Sequence, residues 1–218
     1  MPGKFIVVDG IDGSGKSSLL FQIADYLLSK GIDKNKVLLT AEPTDGLYGH
    51  EIRELLKKET DPKANARKFL DLYLADRRAH IKQELRPALL TGKVVVCDRY
   101  KYATIAYQSM QGIPVQELLD LHKGMPVPDL VLILDVPAHI ALERMQADKQ
   151  RLYLEKFEQV EFQEEIRKVF LKMPQLFPQE NIKLIDSCRP IREMMPEVRQ
   201  HLDAVLSAPS GAPVARPA

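Results

Sequence analysis

The chain of 218 residues has no tryptophan and only two cysteines, Cys97 and Cys188. These cysteines form neither a C-x-x-C pair nor a metal-ligand spacing, which argues against a disulfide framework and against a cysteine-based metal site. The five histidines are scattered in the same way, so no dedicated histidine metal centre is expected. A reduced protein of the cytoplasm is the expectation from this cysteine usage.

The chain also lacks a strong net charge and a long apolar run. Its 31 basic and 30 acidic residues leave a formal net charge of +1, which argues against a protein that binds nucleic acid mainly through electrostatics. No apolar run approaches the ~18 residues that a membrane span needs, and we expect no signal peptide before the first predicted strand. We therefore expect neither a nucleic-acid partner nor a membrane partner. A hydrophobic share of 45% can supply the core of one domain.

Short β-branched runs alternate with long amphipathic stretches, a pattern typical of β-α-β units. The predicted strands are 4–9, 36–41, 94–97, 130–135 and 182–186. Each is almost continuously apolar, as expected of a strand that is covered on both faces. The sequence therefore predicts an α/β fold of three layers, in which a five-stranded parallel sheet is flanked by helices.

Four helical segments are also predicted, and two of them are a helix that starts at Val136-Pro137 and a periodic segment from Phe157 to Phe170. Of the other two, the first presents a single apolar face, made of Leu19, Leu20, Ile23 and Leu27. In the second, Asp61 is a cap, Pro62 is a first-turn proline and a long helix follows as far as residue 90. Pro87 is expected to kink or shorten the end of that helix, because proline lacks a backbone N–H.

Residues 10–17 read GIDGSGKS and match the phosphate-binding formula G-x-x-x-x-G-K-[ST] directly after the first predicted strand. Glycines allow successive backbone N–H groups to point into one anion-sized cavity. Lys16 adds a positive charge for the β- and γ-phosphates, the Ser17 hydroxyl can ligate Mg²⁺, and the following helix adds its dipole. The pattern predicts a P-loop NTPase fold. The residues predicted to bind ATP are Gly10, Asp12, Gly13, Ser14, Gly15, Lys16, Ser17 and Ser18.

Asp98 and Arg99 follow the third predicted strand and should reach the same edge of the sheet as the P-loop. Taken alone, this pair is as readily a solvated ion pair. With a P-loop at the same edge, Asp98 is predicted to serve Mg²⁺ together with Ser17, and Arg99 to grip a phosphate. No Asn-Lys-x-Asp motif for reading guanine is present, because Asn35-Lys36 is followed by valine and leucine. A large motor or transporter ATPase would need more chain around the core. A compact kinase that passes the γ-phosphoryl of ATP to a small acceptor is the remaining option.

Three segments occur in order along the chain: FIVVDGIDGSGKSS, LYLADRRAH and DRYKYATIAYQ. They resemble the thymidylate kinase family of nucleoside monophosphate kinases, and the resemblance extends from Phe5 to about Leu206. It implies transfer of the γ-phosphoryl of ATP to dTMP with Mg²⁺, and a homodimer formed through helices that flank the sheet. Two other readings remain open. One is a kinase for another deoxynucleoside monophosphate, and the other is an ATP-binding regulatory protein without transfer activity.

The resemblance also implies roles for individual residues in the acceptor site. Tyr73 would stack on the acceptor base, although an aromatic residue on a helical apolar stripe is as readily a core residue. Asp12 would orient the acceptor sugar or nearby cations. The residues implied to bind the acceptor are Glu42, Pro43, Tyr73, Arg77, Arg99, Tyr107 and Gln108.

The stretch PDLVLILDVPAHIALERM, followed by QRLYLEKFE, resembles the fourth strand, its helix and the lid of the family. The lid is expected near residues 145–157, within one domain of residues 1–206 that is followed by a disordered tail at 207–218. Gly13 stands where some members place an arginine, so the lid is expected to supply the cation for the transition state. The residues predicted to be catalytic are Lys16, Asp12, Arg99, Arg151 and Lys149.

The chain departs from the family pattern at two positions. Ala41 replaces the arginine of the usual Thr-Arg-Glu-Pro, and Ala103 replaces a serine of the later signature. Losing a charged phosphate contact costs roughly 1.5–3 kcal/mol. A neighbour such as Arg53 is the candidate to compensate.

Overall fold

The computed structural model describes residues 3–58, 64–147 and 160–208. Its strands are β1 (Lys4–Gly10), β2 (Val37–Ala41), β3 (Val94–Asp98), β4 (Leu130–Asp135) and β5 (Ile182–Asp186). All four neighbouring pairs are parallel, and the order across the sheet is β2-β3-β1-β4-β5. The five predicted strands are confirmed to within one residue at each end.

Helices connect these strands. They are α1 (Lys16–Ser29), α2 (Leu47–Lys58), α3 (Ala66–His80), α4 (Arg86–Leu90), α5 (Lys101–Met110), α6 (Val115–Leu121), α7 (Ala138–Ala147), α8 (Val160–Leu171), α9 (Met173–Leu176) and α10 (Ile191–Ser207). Two irregular turns accompany them, a 3-10 turn at Lys34–Lys36 and a π-helical turn at Ile81–Leu85. None of the described helices is long and apolar enough to cross a membrane.

Alternate residues of each strand point to opposite faces of the sheet, so each face has its own apolar layer. Ile6 and Val8 of β1 pack in the layer formed by α1 and α10. Phe5 and Val7 pack in the other layer, with α3, α5 and α8. The predicted three-layer α/β fold is confirmed. The four residues predicted to form the apolar face of the first helix are all buried in α1.

The prediction of a long helix up to residue 90 is confirmed over its described part. The segments α3, the π-helical turn Ile81–Leu85 and α4 follow one another without a gap, so the irregularity is a π-turn inside one helix. Pro87 lacks the N–H that an α-helix would bond to the carbonyl four residues earlier, and the wider turn just before it accommodates this missing bond. The predicted start of that helix at Asp61 and Pro62 lies outside the described residues.

The predicted lid near 145–157 falls mainly on residues 148–159, and the predicted tail falls mainly on residues 209–218. Both of these stretches lie outside the described residues. The lid, the tail and the domain boundary at residue 206 therefore stay predictions.

Candidate active site

The P-loop connects the end of β1 to the start of α1 at the carboxyl edge of the sheet. Its glycines adopt the positive φ angles that the formula anticipates, with 142° at Gly10, 75° at Gly13 and 98° at Gly15. At Gly13 a β-carbon would lie only 2.3 Å from the carbonyl oxygen of Ala141 in α7. The loop therefore has no room for a side chain at this position, which agrees with glycine standing where some family members carry arginine.

A cavity of about 410 Å³ opens over the P-loop. It is lined by Asp12, Gly13, Gly15, Lys16, Ser17, Ser18, Asp98, Arg99, Arg144 and Met145. Two of the residues predicted to bind ATP, Gly10 and Ser14, do not line it. Ser14 is buried beneath the loop, and a β-carbon at Gly10 would lie 2.7 Å from the carbonyl oxygen of Leu134. These two residues lie on the side of the loop that faces the protein interior, away from the cavity.

Lys16 is buried at the start of α1. Its ammonium group donates to the carbonyl oxygens of Gly10, at 3.0 Å, and of Ile11, at 2.8 Å. Burial and the nearby charge of Arg99 lower the pKa of Lys16 from its ordinary value. The lysine is thus held in the cavity by its own loop, within reach of a phosphate bound there.

Ser17 and Asp98 meet at the P-loop cavity, as the sequence predicts for a metal site. The Ser17 hydroxyl donates to Oδ2 of Asp98 at 3.4 Å. The other carboxylate oxygen of Asp98, Oδ1, is buried and has no hydrogen-bond partner among the described residues. A buried acceptor without a partner next to a hydroxyl suits a hard cation such as Mg²⁺, which takes oxygen ligands. The residues present fit this metal.

Arg99 lies directly after β3 with a φ of 67°, a left-handed conformation that is uncommon for a residue with a side chain. Its backbone N–H donates to the carbonyl oxygen of Val8 at 2.9 Å, which ties the turn to β1. The guanidinium pairs with the Asp12 carboxylate and lies over the ring of Tyr107, 5.6 Å from its centroid. Backbone strain of this kind clusters at functional sites.

Tyr107 closes the same group of side chains. Its hydroxyl donates to Oδ2 of Asp12 at 3.0 Å. Burial and the Asp12 carboxylate raise the pKa of Tyr107, so its hydroxyl keeps its proton. Asp12 thus links the P-loop to α5 through a cation on one side and a neutral donor on the other.

A second cavity of about 270 Å³ lies beside the first. All seven residues that the family resemblance implies for the acceptor line it: Glu42, Pro43, Tyr73, Arg77, Arg99, Tyr107 and Gln108. Asp12 and Arg99 line both cavities, so these two residues mark where the cavities adjoin. The structure therefore brings the residues predicted for the acceptor together in one place, next to the P-loop.

The side chain of Gln108 is buried in this second cavity. Its Nε2 group donates to Oε1 of Gln111 at 3.1 Å. Its own Oε1 is buried without a hydrogen-bond partner in the described part of the chain. An orphaned buried acceptor in a cavity is suited to an N–H group of a ligand.

Side chains of helix α3 form hydrogen bonds with the segment 42–44, which follows β2. Asp76 accepts from the N–H of Thr44, at 2.8 Å, and from its hydroxyl, at 2.6 Å. One turn of helix further on, His80 contacts Oε1 of Glu42 through Nδ1 at 2.9 Å. Between them Arg77 donates from Nε to Oε2 of Glu42 at 2.6 Å. Glu42 and Pro43 are thereby fixed at the cavity wall.

Asp9 is a residue that the sequence analysis missed. Its Oδ2 accepts from the backbone N–H groups of Tyr100, at 3.2 Å, and of Ala103, at 3.1 Å, and therefore caps the start of α5. Burial raises the pKa of Asp9 to about 6, against the opposing charges of Arg99 and Lys16. In the sequence, Asp9 looks like the last residue of a buried strand. Its role becomes visible only when β1 pairs with β3, because this pairing brings the start of α5 next to Asp9.

Two further arginines line the cavities, although neither is among the predicted site residues, and Arg53 is named above only as the candidate to compensate for Ala41. Arg144 lines the P-loop cavity and donates to the carbonyl oxygen of Ser187 at 2.8 Å. Arg53 lines the acceptor cavity and also a third, open cavity that includes Ala41. Its guanidinium donates to the carbonyl oxygens of Pro43 and Thr44, both at 2.8 Å. Lys149 and Arg151 lie outside the described residues, so their predicted catalytic roles stay predictions.

A P-loop at the carboxyl edge of a parallel sheet, with a second polar cavity beside it, defines a P-loop nucleotide-binding protein with room for a second ligand. Comparison with known proteins narrows the class. The family model described as thymidylate kinase matches residues 8–198, and the chain belongs to this family of phosphotransferases.

Individual relatives agree with the family assignment. A thymidylate kinase of Desulfotalea psychrophila is 37% identical over 205 residues, which cover 92% of this chain and 96% of the relative. A thymidylate kinase of Brachyspira hyodysenteriae is 42% identical over 172 residues, with 78% and 80% covered. A probable thymidylate kinase of Pyrococcus horikoshii is 39% identical over 186 residues, with 84% and 88% covered.

Proposed function

We propose that the protein transfers the γ-phosphoryl of ATP to dTMP, giving dTDP and ADP. The observation that carries this proposal is that the P-loop cavity and the acceptor cavity adjoin at Asp12 and Arg99. Two phosphate-bearing ligands, one in each cavity, would face each other at this junction. Membership of the thymidylate kinase family supports dTMP as the acceptor.

On the donor side, ATP would lie on residues 10–18, with its phosphates against the P-loop N–H groups and Lys16. Ser17 and Asp98 would hold Mg²⁺, which supplies positive charge to the phosphate oxygens when it is bound. Lys16 would exchange its two contacts with the loop carbonyls for phosphate oxygens. Arg144, on the wall of the same cavity, is within the donor site in this proposal.

On the acceptor side, Tyr73 would stack on the base, Arg77 and Gln108 would contact its polar edge, and Arg99 would hold the phosphate. The partnerless Oε1 of Gln108 supports this arrangement, because the N3–H of thymine is a donor. Arg53 would compensate for the family arginine that Ala41 replaces, since Arg53 lines both the acceptor cavity and the open cavity at Ala41.

The chemistry then rests on position and charge. An acceptor phosphate oxygen is already a nucleophile, so the protein needs to align it with the γ-phosphoryl and to stabilise the charge that spreads over the transferred group. Lys16 supplies a cation in the P-loop cavity, Arg99 supplies one where the two cavities adjoin, and Asp12 orients Arg99. Lys149 and Arg151 are proposed to add charge from the lid. Exclusion of water at closure would prevent ATP hydrolysis.

We propose a homodimer, as the family resemblance implies, located in the cytoplasm. ATP and dTMP are its proposed partners. Neither nucleic acid nor a membrane has a place in the reaction, and the near-neutral charge agrees with that.

The test is ADP release from Mg·ATP in a coupled assay, with dTMP, dUMP, dGMP, dCMP, dAMP and UMP offered separately. A strong preference for dTMP is expected. A preference for another deoxynucleoside monophosphate would move the assignment to a relative with altered specificity, to which Ala41 and Ala103 would then contribute. Binding of Mg·ATP with no transfer to any acceptor would identify a regulatory ATP-binding protein instead.

A further inference from the structure

His122 is a buried histidine for which the reaction described above has no role. It lies at the C-terminal end of α6, and only 4% of its surface is exposed. Nδ1 lies 2.6 Å from the carbonyl oxygen of Leu118, and Nε2 lies 2.7 Å from a terminal nitrogen of Arg77. A carbonyl oxygen can only accept, so Nδ1 carries the proton and Nε2 is the acceptor for Arg77.

The charge state of His122 agrees with this geometry. Burial and the positive charge of Arg77 lower the pKa of His122 to about 3. The imidazole is therefore neutral at any pH at which the protein works, and its Nε2 lone pair is available to Arg77. Glu42 already supplies the carboxylate that pairs with Arg77, at 2.6 Å, and the neutral acceptor His122 orients the guanidinium without adding a second negative charge.

Arg77 is fully buried and carries five N–H donors in a rigid planar group. Within the described residues, Nε donates to Glu42, one terminal nitrogen donates to His122, and the other donates to Thr104 at 3.0 Å. The three acceptors come from different directions and fix the plane of the guanidinium. One N–H on each terminal nitrogen is left over, and Arg77 lines the acceptor cavity.

We propose that His122 is a positioning residue that acts through Arg77 and sets the selectivity for a base with a carbonyl group. By holding one N–H of the terminal nitrogen, it directs the remaining N–H toward the cavity as a donor. A carbonyl oxygen, such as O4 of thymine, accepts from this donor, whereas the amino group of cytosine offers it no acceptor. The inference rests on the proposed function, because it places the base next to Arg77.

Two substitutions separate the two hydrogen bonds of His122. In His122→Asn the side-chain amide lies the same number of bonds from Cα as Nδ1, so it can donate to Leu118 but does not reach Arg77. In His122→Gln the amide oxygen lies at the distance of Nε2 and can accept from Arg77. Both replacements are neutral and polar. His201→Asn, a histidine on α10 outside both cavities, is the control for histidine replacement.

The experiment measures kcat and KM for dTMP, for dCMP and for ATP in the wild-type protein and the three variants, together with their melting temperatures. For His122→Asn we expect KM for dTMP to rise about tenfold, as for the loss of one hydrogen bond to a charged group. Its kcat and its KM for ATP should stay near the wild-type values. The ratio of kcat/KM for dTMP to that for dCMP should fall by about the same factor of ten, while His122→Gln and His201→Asn keep it.

A purely structural histidine would give a different result. Loss of packing alone would lower the melting temperature and would weaken dTMP and dCMP by the same factor, and the glutamine variant would not rescue selectivity. Either result, in a protein that still phosphorylates dTMP, would overturn the role of His122 and leave the proposed function intact. Absence of transfer by the wild-type protein would overturn the proposed function, and this inference with it.

Discussion

Lys16 is the residue on which transfer depends most directly. It is buried in the P-loop cavity and its contacts are two carbonyl oxygens of the loop, so its removal leaves the packing of the sheet unchanged. We expect Lys16→Ala to lower kcat at least a hundredfold, since removal of one preorganised donor to developing charge commonly costs that much. The measurement is the coupled ADP assay at saturating ATP and dTMP.

The control for this substitution is Lys30→Ala, which removes an exposed lysine paired with Asp203 after the other end of α1. It should leave kcat unchanged. Far-ultraviolet circular dichroism of both variants should match the wild type. Turnover of Lys16→Ala at the wild-type rate would remove the P-loop from the mechanism.

His80 predicts a pH dependence of stability. Burial alone would lower the pKa of His80, but its hydrogen bond and ion pair with Glu42, together with the charges of Glu84 and Asp76, outweigh burial and raise the pKa above the ordinary value of 6.5. The folded protein then binds the proton more tightly than the unfolded chain. The stabilisation is fully present below pH 6.5 and is lost as the pH rises through the higher pKa of the folded state.

Urea unfolding of the wild type and of His80→Gln between pH 6 and pH 9 tests this sign. The difference in the free energy of unfolding between them should be largest at the acidic end and should shrink as the pH rises. A difference that grows toward alkaline pH would show that His80 is neutral in the folded protein.

At the scale of elements, the P-loop is fitted against α7 at Gly13. A side chain at Gly13 meets both a left-handed φ and the carbonyl oxygen of Ala141. Gly31, after α1, also has a positive φ, of 82°, but has open space around its β-carbon position. Gly31→Ala should therefore cost about 1–2 kcal/mol from backbone strain alone, while Gly13→Ala should cost more and should also raise KM for ATP.

Chemical denaturation of both alanine variants, with ATP kinetics, separates strain from the clash. Equal losses of stability in the two variants, with normal ATP kinetics, would mean that α7 yields at no cost. It would also reopen the question of why this loop carries glycine where some relatives carry arginine.

Some elements of the fold could be predicted from the sequence and others could not. The strands and the P-loop were predictable, because their signals lie within short stretches of sequence. The signal of a strand is a continuous apolar run, and that of the P-loop is a fixed glycine spacing. The π-helical turn after α3 was not predictable, since a proline shows that a hydrogen bond is missing but not which turn of the helix widens to accommodate it. Asp9 and His122 were missed for another reason. Their partners, the start of α5 and Arg77, are distant in sequence and become neighbours only when the sheet and helices pack.

Ligand binding to the whole molecule provides a further test, since ligands that bind only the folded state stabilise it by mass action. At about 100 times the dissociation constant, dTMP or Mg·ATP should each add about 2.7 kcal/mol, or roughly 5–10 °C in melting temperature for a chain of this size. Lys16→Ala should lose most of the shift with Mg·ATP and keep the shift with dTMP. Loss of both shifts together would contradict two separate cavities.

In the proposed reaction, one phosphoryl group moves from ATP directly to the phosphate of dTMP. The most direct measurement incubates the protein with Mg²⁺, dTMP and ATP labelled at the γ-phosphate, and separates the products by chromatography. We predict label in the β-phosphate of dTDP, in a one-to-one ratio with the ADP formed. Label that appears in inorganic phosphate, with dTMP unchanged, would rule out direct transfer, because the two cavities would then hold no pair of reacting ligands.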